Sequence, residues 1–392
     1  MIERSTMRLG LLSAMLLSGC EAAPRSSPPQ APADASTAAT AAIAEAPAST
    51  SRAPAPALSA APAPRAPATL ALPGAAPGIG FDDLRFCHVP DVVDAVVAPA
   101  GRSGKVDLID PVSNAVAPIG GFSESPSFGG GHDFGVTSAD AGFDGLLAVD
   151  RTAKTLSILD PVARKITSTT PLAASPDYVR YFVPFREAWV TEPDADQIEV
   201  FELAKLPAPQ AAYAGGNTYK QSAIIPTKGG PESLVFDIQR GRAYAHLWAG
   251  QTISIDTTAR KIVATWPNGC AKSRGIDLDM GHGILFVGCG EGKAVTLDVQ
   301  TGKQLASAQV SGDRVDIIAF AEGLRHLYVP SASSGTMTIL GVSEKGALSV
   351  LGQVPAATGA HCVAADGNGF AYVCDPSHGA ILKIPDPYPP AR

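Results

Sequence analysis

The run GAHCVAADGNGFAYVCDPSHG, from Gly359 to Gly379, places His361, Cys362, Cys374 and His378 in one short stretch. Two imidazoles and two thiols are the ligand types of a tetrahedral zinc site. The same run also reads as a β-hairpin turning at Gly367-Asn368-Gly369, which sets Cys362 opposite Cys374. Facing residues of an antiparallel pair lie roughly 4.5–5.5 Å apart at Cα, within reach of a disulfide. Zinc would need both thiols reduced and His378 swung back over the next turn, so hairpin register favours the disulfide over the metal. Cys270 and Cys289 form a second expected bridge, with Cys289 facing Arg274 and Cys270 folding over from the preceding loop. Cys87 is left over and expected as a buried, inert thiol.

A second set of reactive side chains is scattered through the chain but shares one position in a repeat. It comprises Asp83, a residue within His132-Asp133-Phe134-Gly135, then Asp177, Glu232, Arg274, Asp316 and His361. Carboxylates and imidazoles brought to one place are ligands for a divalent cation or a polar molecule. They could also activate water for hydrolysis. Equally, acids at strand starts cap turns and can line a water-filled channel with no further role. His246, His282 and His326 fall off this position and read as packed or solvated histidines.

The elements that must position these groups repeat at intervals of roughly 40–55 residues, the period of a propeller blade. KVDLIDPVSNAVAPI, TLSILDPVARKITST, TISIDTTARKIVATW and AVTLDVQTGKQLASA each show an alternating strand, a polar turn and another strand. Before each lies a short strand such as LLAVD, AYAHLW or LFVGC, and before that a third such as VTSAD or GIDLD. Four short strands recurring about seven times predict an all-β, seven-bladed propeller over 80–392. The last blade is short of one strand. An N-terminal strand, placed at FDDLRFCH near Phe81, is expected to complete it and close the ring. In this geometry the loop entering each innermost strand points at the central channel, which is what unites the scattered ionisable residues.

AWVTEPDADQIEVFEL and LFVGCGEGKAVTLDVQTGKQLA resemble the YVTN family of bacterial propeller repeats, a WD40-like architecture of surface-layer and periplasmic proteins. The resemblance covers essentially all of the expected propeller. It implies fold and leaves function open, since propellers host binding proteins, lactonases, oxidoreductases and scaffolds. No Gly-x-Ser-x-Gly elbow or zinc-protease helix occurs, and the glycine-rich GGGHDFG lacks the strand-to-helix setting of a phosphate cradle. Two loops are longer than the rest, Gly120 to Gly131 and Ala204 to Gly230; the second, with Tyr213 and Tyr219, reads as a partner contact or equally as a tolerated insertion.

The N-terminus reads as a targeting segment. Arg4 and Arg8 precede the apolar run Leu9 to Leu17, which ends in Leu-Ser-Gly-Cys at Cys20. This resembles the bacterial lipobox, which implies a signal peptide over 1–19 and lipidation of Cys20; Glu21 resembles the outer-membrane sorting class. Residues 20–79 are chiefly Ala, Pro, Ser and Thr, too poor in large apolar side chains to offset ordering entropy, and read as a disordered tether. A formal charge of −7 gives no basic footprint for nucleic acid. The expectation is a monomeric, non-catalytic binding or scaffold module, lipid-anchored in the bacterial cell envelope. It would meet the membrane through its lipid and take another envelope protein as partner. It has no cofactor of certain identity; a divalent cation fits the ring of acids. The alternative is a metal-dependent, lactonase-like hydrolase.

Because the tether separates lipid from fold, Cys20→Ser is expected to release the protein from the membrane fraction while leaving its thermal unfolding unchanged. Fractionation of cells expressing the variant checks this, and tight membrane retention would refute the lipobox.

Overall fold

The computed structural model describes residues 67–89, 93–143, 145–203 and 218–391. Within them, 28 strands build seven four-stranded antiparallel sheets. The chain enters on β1 (Ala68–Ala71). Blade 1 holds β2 (Arg85–Val89), β3 (Val93–Pro99), β4 (Ser103–Ile109) and β5 (Val116–Glu124); blade 2 holds β6 (Val136–Gly142), β7 (Gly145–Asp150), β8 (Thr155–Asp160) and β9 (Lys165–Pro171). Blade 3 holds β10 (Val179–Phe182), β11 (Glu187–Glu192), β12 (Gln197–Leu203) and β13 (Tyr219–Pro226); blade 4 holds β14 (Pro231–Asp237), β15 (Arg242–Leu247), β16 (Gln251–Asp256) and β17 (Lys261–Pro267). Blade 5 holds β18 (Ser273–Asp279), β19 (Ile284–Cys289), β20 (Lys293–Asp298) and β21 (Gln304–Gln309); blade 6 holds β22 (Ala319–Ala321), β23 (His326–Ser331), β24 (Thr336–Val342) and β25 (Leu348–Pro355). Blade 7 holds β26 (Val363–Ala365), β27 (Phe370–Asp375) and β28 (Ala380–Pro385), completed by β1.

The innermost strands pack on one another in a closed ring, ending with β26 against β2. The middle strands, such as β7, β11, β19 and β23, are buried along their whole length, so both faces of each blade lie against its neighbours. The outermost strands alternate between exposed and half-buried positions, the period-2 pattern of a sheet edge facing water. The turns from third to fourth strand repeat one device. Asp110, Asp160, Asp256 and Asp298 each accept from the backbone N–H groups two and three residues on, a local Asx turn. A residue of positive φ comes next, at Asn114, Arg164, Arg260 or Gly302, matching the hairpin to the strand twist.

The ring does close through an N-terminal strand, but not the expected one. The closing strand is β1, which pairs with β28 from Ala68↔Lys383 to Ala71↔Ala380. The strand near Phe81 is instead β2, the innermost of blade 1. The fold therefore begins upstream of residue 80, inside the stretch expected to be tether. Leu70 and Leu72 are buried there, and four residues in extended pairing take little hydrophobicity to hold. Arg102 clamps the segment between β1 and β2: Nε donates to Gly78 O at 2.5 Å and Nη2 to Gly74 O and Ala76 O at 2.9 and 2.5 Å. Of the long loop expected at Ala204–Gly230, Tyr219 instead opens β13 and is buried, while Tyr213 lies outside the described residues.

Both expected disulfides form, with Cα–Cα distances of 5.3 Å for Cys270–Cys289 and 5.6 Å for Cys362–Cys374. The sulfurs of the hairpin at Gly367–Gly369 are thus bonded to each other, and His378 pairs with Asp375 at 2.8 Å, so no zinc knuckle exists there. Cys289 faces Ser273 rather than Arg274, because β18 bulges between Ser273 and Ile276. Cys87 is buried as expected but is not a free thiol; none of the described cysteines is.

A chain beginning at residue 80 should be less stable than one beginning at residue 66, by at least about 3 kcal/mol. Two buried leucines at about 1.5–3 kcal/mol each would be lost, the edge of β28 would be left unpaired, and the Arg102 guanidinium would keep only its bond to Ser125 O. Denaturant unfolding of the two chains measures the difference, and coincident curves would deny β1 its closing role.

Candidate functional site

The entries to the innermost strands meet at one mouth of the channel. Main-chain bonds between adjacent blades hold them: Asp83 N–H to Thr137 O at 3.2 Å, Gly275 N–H to Asp316 O at 3.0 Å and Ile317 N–H to His361 O at 2.8 Å. Bulges in β6, β14 and β18 lie just inside the mouth and re-aim the first side chains of those strands. In β14 the bulge places Ser233 at φ 62°. Its hydroxyl donates to Arg274 O at 2.9 Å, tying blade 4 to blade 5.

At the centre lies Asp82, buried. It faces Arg151 Nη2 at 2.9 Å, His132 Nδ1 at 3.1 Å and the Tyr178 hydroxyl at 3.3 Å. The His132 contact is an ion pair off the line of a hydrogen bond, so Nδ1 has no hydrogen-bond partner. Arg151 also pairs with Asp177 and donates to the carbonyls of Pro176 and His132 at 3.0 and 3.2 Å. On its other side His132 presents Nε2 to Asp316 Oδ2 at 3.9 Å, and its ring centroid lies 5.3 Å from that of His361. His361 sets Nδ1 2.6 Å from Gly359 O and Nε2 2.8 Å from Phe81 O. Glu232 accepts from the indole N–H of Trp248, whose ring is 40 % exposed at the rim. Arg274 Nη1 donates to Ser273 O at 2.8 Å.

The electrostatics follow from burial and pairing. Burial opposes ionisation of Asp82, but His132 and Arg151 outweigh it and hold the carboxyl well below its usual range. Asp82 in turn raises His132 to about 10. Burial pushes Asp177 well above its usual value, reinforced by Asp82 and Glu232. Burial, with Asp316 beside it, raises Glu232 to about 7, and burial also raises Asp316. Arg151 and His132 hold Asp82 ionised, whereas Asp177, Glu232 and Asp316 are all raised, so the mouth carries more buried carboxyl than its cations offset.

Of the residues expected at the mouth, Asp177, Glu232, Arg274, Asp316, His361 and His132 come together. Two do not. Asp133 points outward, its side chain 94 % exposed, and reaches only Arg151 at 3.6 Å. Asp83 turns the other way, down the channel. There it binds Arg180 through Nη1 at 2.7 Å and Nη2 at 3.1 Å, and accepts from Ser138 Oγ at 2.7 Å. It belongs to a deeper layer in which Arg85 lies 3.8 Å from Asp140 and Asp277 accepts from Phe320 N–H at 2.6 Å. Asp82, one residue away, occupies the mouth instead, since successive residues of an extended chain point to opposite sides.

Sequence reasoning missed Asp82, Arg151 and Tyr178. The adjacent Asp82-Asp83 pair was a signal, because one of two neighbouring acids must face the channel. Arg151 arrives from the end of a second strand, a position the repeat does not mark as central. The remaining histidines are structural, as expected. His246 is buried against Thr252 and lowered by burial to about 3, His282 pairs with Asp279, and His326 pairs with Asp386.

No family model matches the chain, and no curated protein matches it. Solved structures do match in fold. The chain is similar to Kuenenia stuttgartiensis hydrazine synthase at 12 % identity and TM-score 0.60, covering 79 % of this chain and 96 % of that one. A chain of the mitotic checkpoint complex matches at 12 % identity and TM-score 0.63, covering 89 % and 99 %. The β-propeller domain of Myceliophteria thermophila Cps50 (Swd1) matches at 14 % and 0.57, covering 78 % and 96 %. At such identities the likeness establishes the seven-bladed propeller and nothing about ligand or chemistry.

Because Glu232 is raised in the folded state to about 7 from an ordinary 4.5, its contribution to stability is full below 4.5 and is lost as pH rises through 7. Glu232→Gln removes that loss while keeping an acceptor for Trp248. In metal-free buffer the variant is expected to gain on wild type between pH 5 and 8, by on the order of 1–3 kcal/mol. Denaturant unfolding at the two pH values reads this out, and parallel pH profiles would show that Glu232 is not buried against like charge.

Proposed function

We propose that this protein is an exported, lipid-anchored propeller that binds a small polar ligand at one mouth of its channel, as a binding or scaffold module rather than a catalyst. The Leu-Ser-Gly-Cys ending at Cys20 and the resemblance to YVTN repeats support export to the bacterial cell envelope and anchorage through lipid, at the outer membrane given Glu21. The two disulfides support an oxidising compartment. The observation that carries the binding reading is the excess of buried carboxyl at the mouth: Asp177, Glu232 and Asp316 are all raised by burial, and Arg151 reaches only Asp177 among them. A native structure keeps under-compensated buried carboxyls where a bound positive or hydrogen-bonding group offsets them. The exposed Trp248 face beside Glu232 suits a cationic group as well. Disulfide-stapled blades and a closed ring suit a rigid scaffold for another envelope protein as partner, the kind of setting in which the propeller of the mitotic checkpoint complex is found.

A thermal-shift screen of amines, amino acids and divalent metals on residues 66–392 is expected to find at least one stabilising compound whose effect is lost in Glu232→Gln and Asp316→Asn. If every compound shifts wild type and variants alike, the mouth is not a ligand site.

A further inference from the structure

We infer that the ligand of this mouth is, or is held through, a first-row divalent metal such as Zn²⁺ bound by His132, Asp316 and His361. The inference rests on the binding reading above and narrows it. One ligand atom from each of the three residues lies within 4.8 Å of the others, close enough for a single ion to draw them together. Two imidazoles and one carboxylate form a donor set that suits Zn²⁺, Fe²⁺ or Ni²⁺ and leaves coordination positions open.

Two independent features of the triad point to an ion. The first is an orphan. Asp316 Oδ1 is buried without a hydrogen-bond partner, although native proteins seldom bury such an atom unpaired, whereas His132 Nδ1 is held by the Asp82 carboxylate. With the metal on His132 Nε2, Nδ1 carries the hydrogen and turns onto Asp82 Oδ2, already 3.1 Å away. That is the carboxylate–histidine–metal relation by which an outer carboxylate orients a ligand and raises its basicity. Asp316 then spends a lone pair on the ion.

The second feature is the setting of His361. Its Nδ1 is 2.6 Å from Gly359 O, which fixes the hydrogen on that nitrogen. Nε2 lies 2.8 Å from Phe81 O, and the ring can donate to both carbonyls only when it carries two hydrogens. With its one hydrogen on Nδ1, it leaves Nε2 and Phe81 O as two lone-pair donors that an ion beside both would join. Adjacent ligand atoms on a metal with bonds of about 2.1 Å lie roughly 3.0–3.4 Å apart, so an ion beside both accounts for the approach. Phe81 O then becomes a fourth ligand. His132 Nε2 and Asp316 Oδ2, now 3.9 Å apart, close by about half an ångström.

The experiment is titration of the metal-stripped full-length protein with Zn²⁺ by calorimetry and with Co²⁺ by visible absorption. One equivalent is expected to bind, with the d–d bands of a four- or five-coordinate nitrogen–oxygen site. His132→Gln, Asp316→Asn and His361→Gln should each lose the stoichiometric site and its spectrum. Asp82→Asn should weaken affinity by roughly 10–100-fold with the spectrum retained. Control variants at the paired surface histidines, His282→Gln and His378→Gln, should bind as wild type does. Circular dichroism of each metal-free variant establishes that it is folded, and His361→Ala serves if His361→Gln is not. Absence of stoichiometric binding, or binding unaffected by all three ligand variants, would overturn the metal. If a non-metal compound still stabilises the protein in a Glu232-dependent way, the mouth remains a binding site and only the metal is wrong.

Discussion

Four residues of extended chain at β1 hold the ring shut, and their consequence reaches the channel. A propeller assembled from one chain must join its first blade to its last, or leave the flanks of both open to water and to other chains. Here β1 lies outermost on blade 7, and the next segment runs inward over the top of the ring to begin blade 1 as its innermost strand. That crossing carries Phe81, Asp82 and Asp83 to the axis. Arg102 fixes it by binding three of its carbonyls, so the position of the central carboxylate depends on the same strap that closes the fold.

Once delivered, those two acids organise the channel in layers. Asp83 and Arg180 form a buried pair with Ser138, and Asp140, Asp277 and Arg85 extend it. Above them Asp82 collects His132, Arg151 and Tyr178. Buried charges of this kind are costly unless each finds a partner with good geometry, and blades 1 to 3 supply the arginines that do so. Blades 4 and 6 bring Glu232 and Asp316 with no arginine bonded to them, and Asp316 faces His132 at 3.9 Å. The asymmetry is a property of the whole ring, since no single blade contains it, and it gives the mouth a side on which a positive ligand is favoured.

The disulfides sit where that asymmetry needs rigidity. Cys270–Cys289 staples the entry of blade 5 just before Arg274, and Cys362–Cys374 staples blade 7 immediately after His361. Blade 6 lies between them with Asp316 and a first strand of only three residues. Bridging its neighbours limits the conformations open to the groups around it, which preorganises a site at little enthalpic cost.

The sequence alone determined the architecture. Short apolar strands separated by polar turns, recurring four at a time at blade length, admit few structures other than a propeller, and the turn at Gly367–Gly369 suffices to pair Cys362 with Cys374 by counting. Burial sets both, through a period of two that is visible along the chain. Only the tertiary structure decided which acid faces the axis, because a one-residue slip turns a side chain to the opposite face and bulges impose such slips without a clear mark in sequence. That is why Asp82 replaces Asp83 at the mouth and Ser273 replaces Arg274 opposite Cys289. Closure by Ala68–Ala71 was hidden for a different reason. Four residues of an Ala/Pro-rich stretch, with Leu70 the one large apolar side chain, carry little local preference for a strand, and it is the open edge of β28, at the far end of the chain, that makes them one.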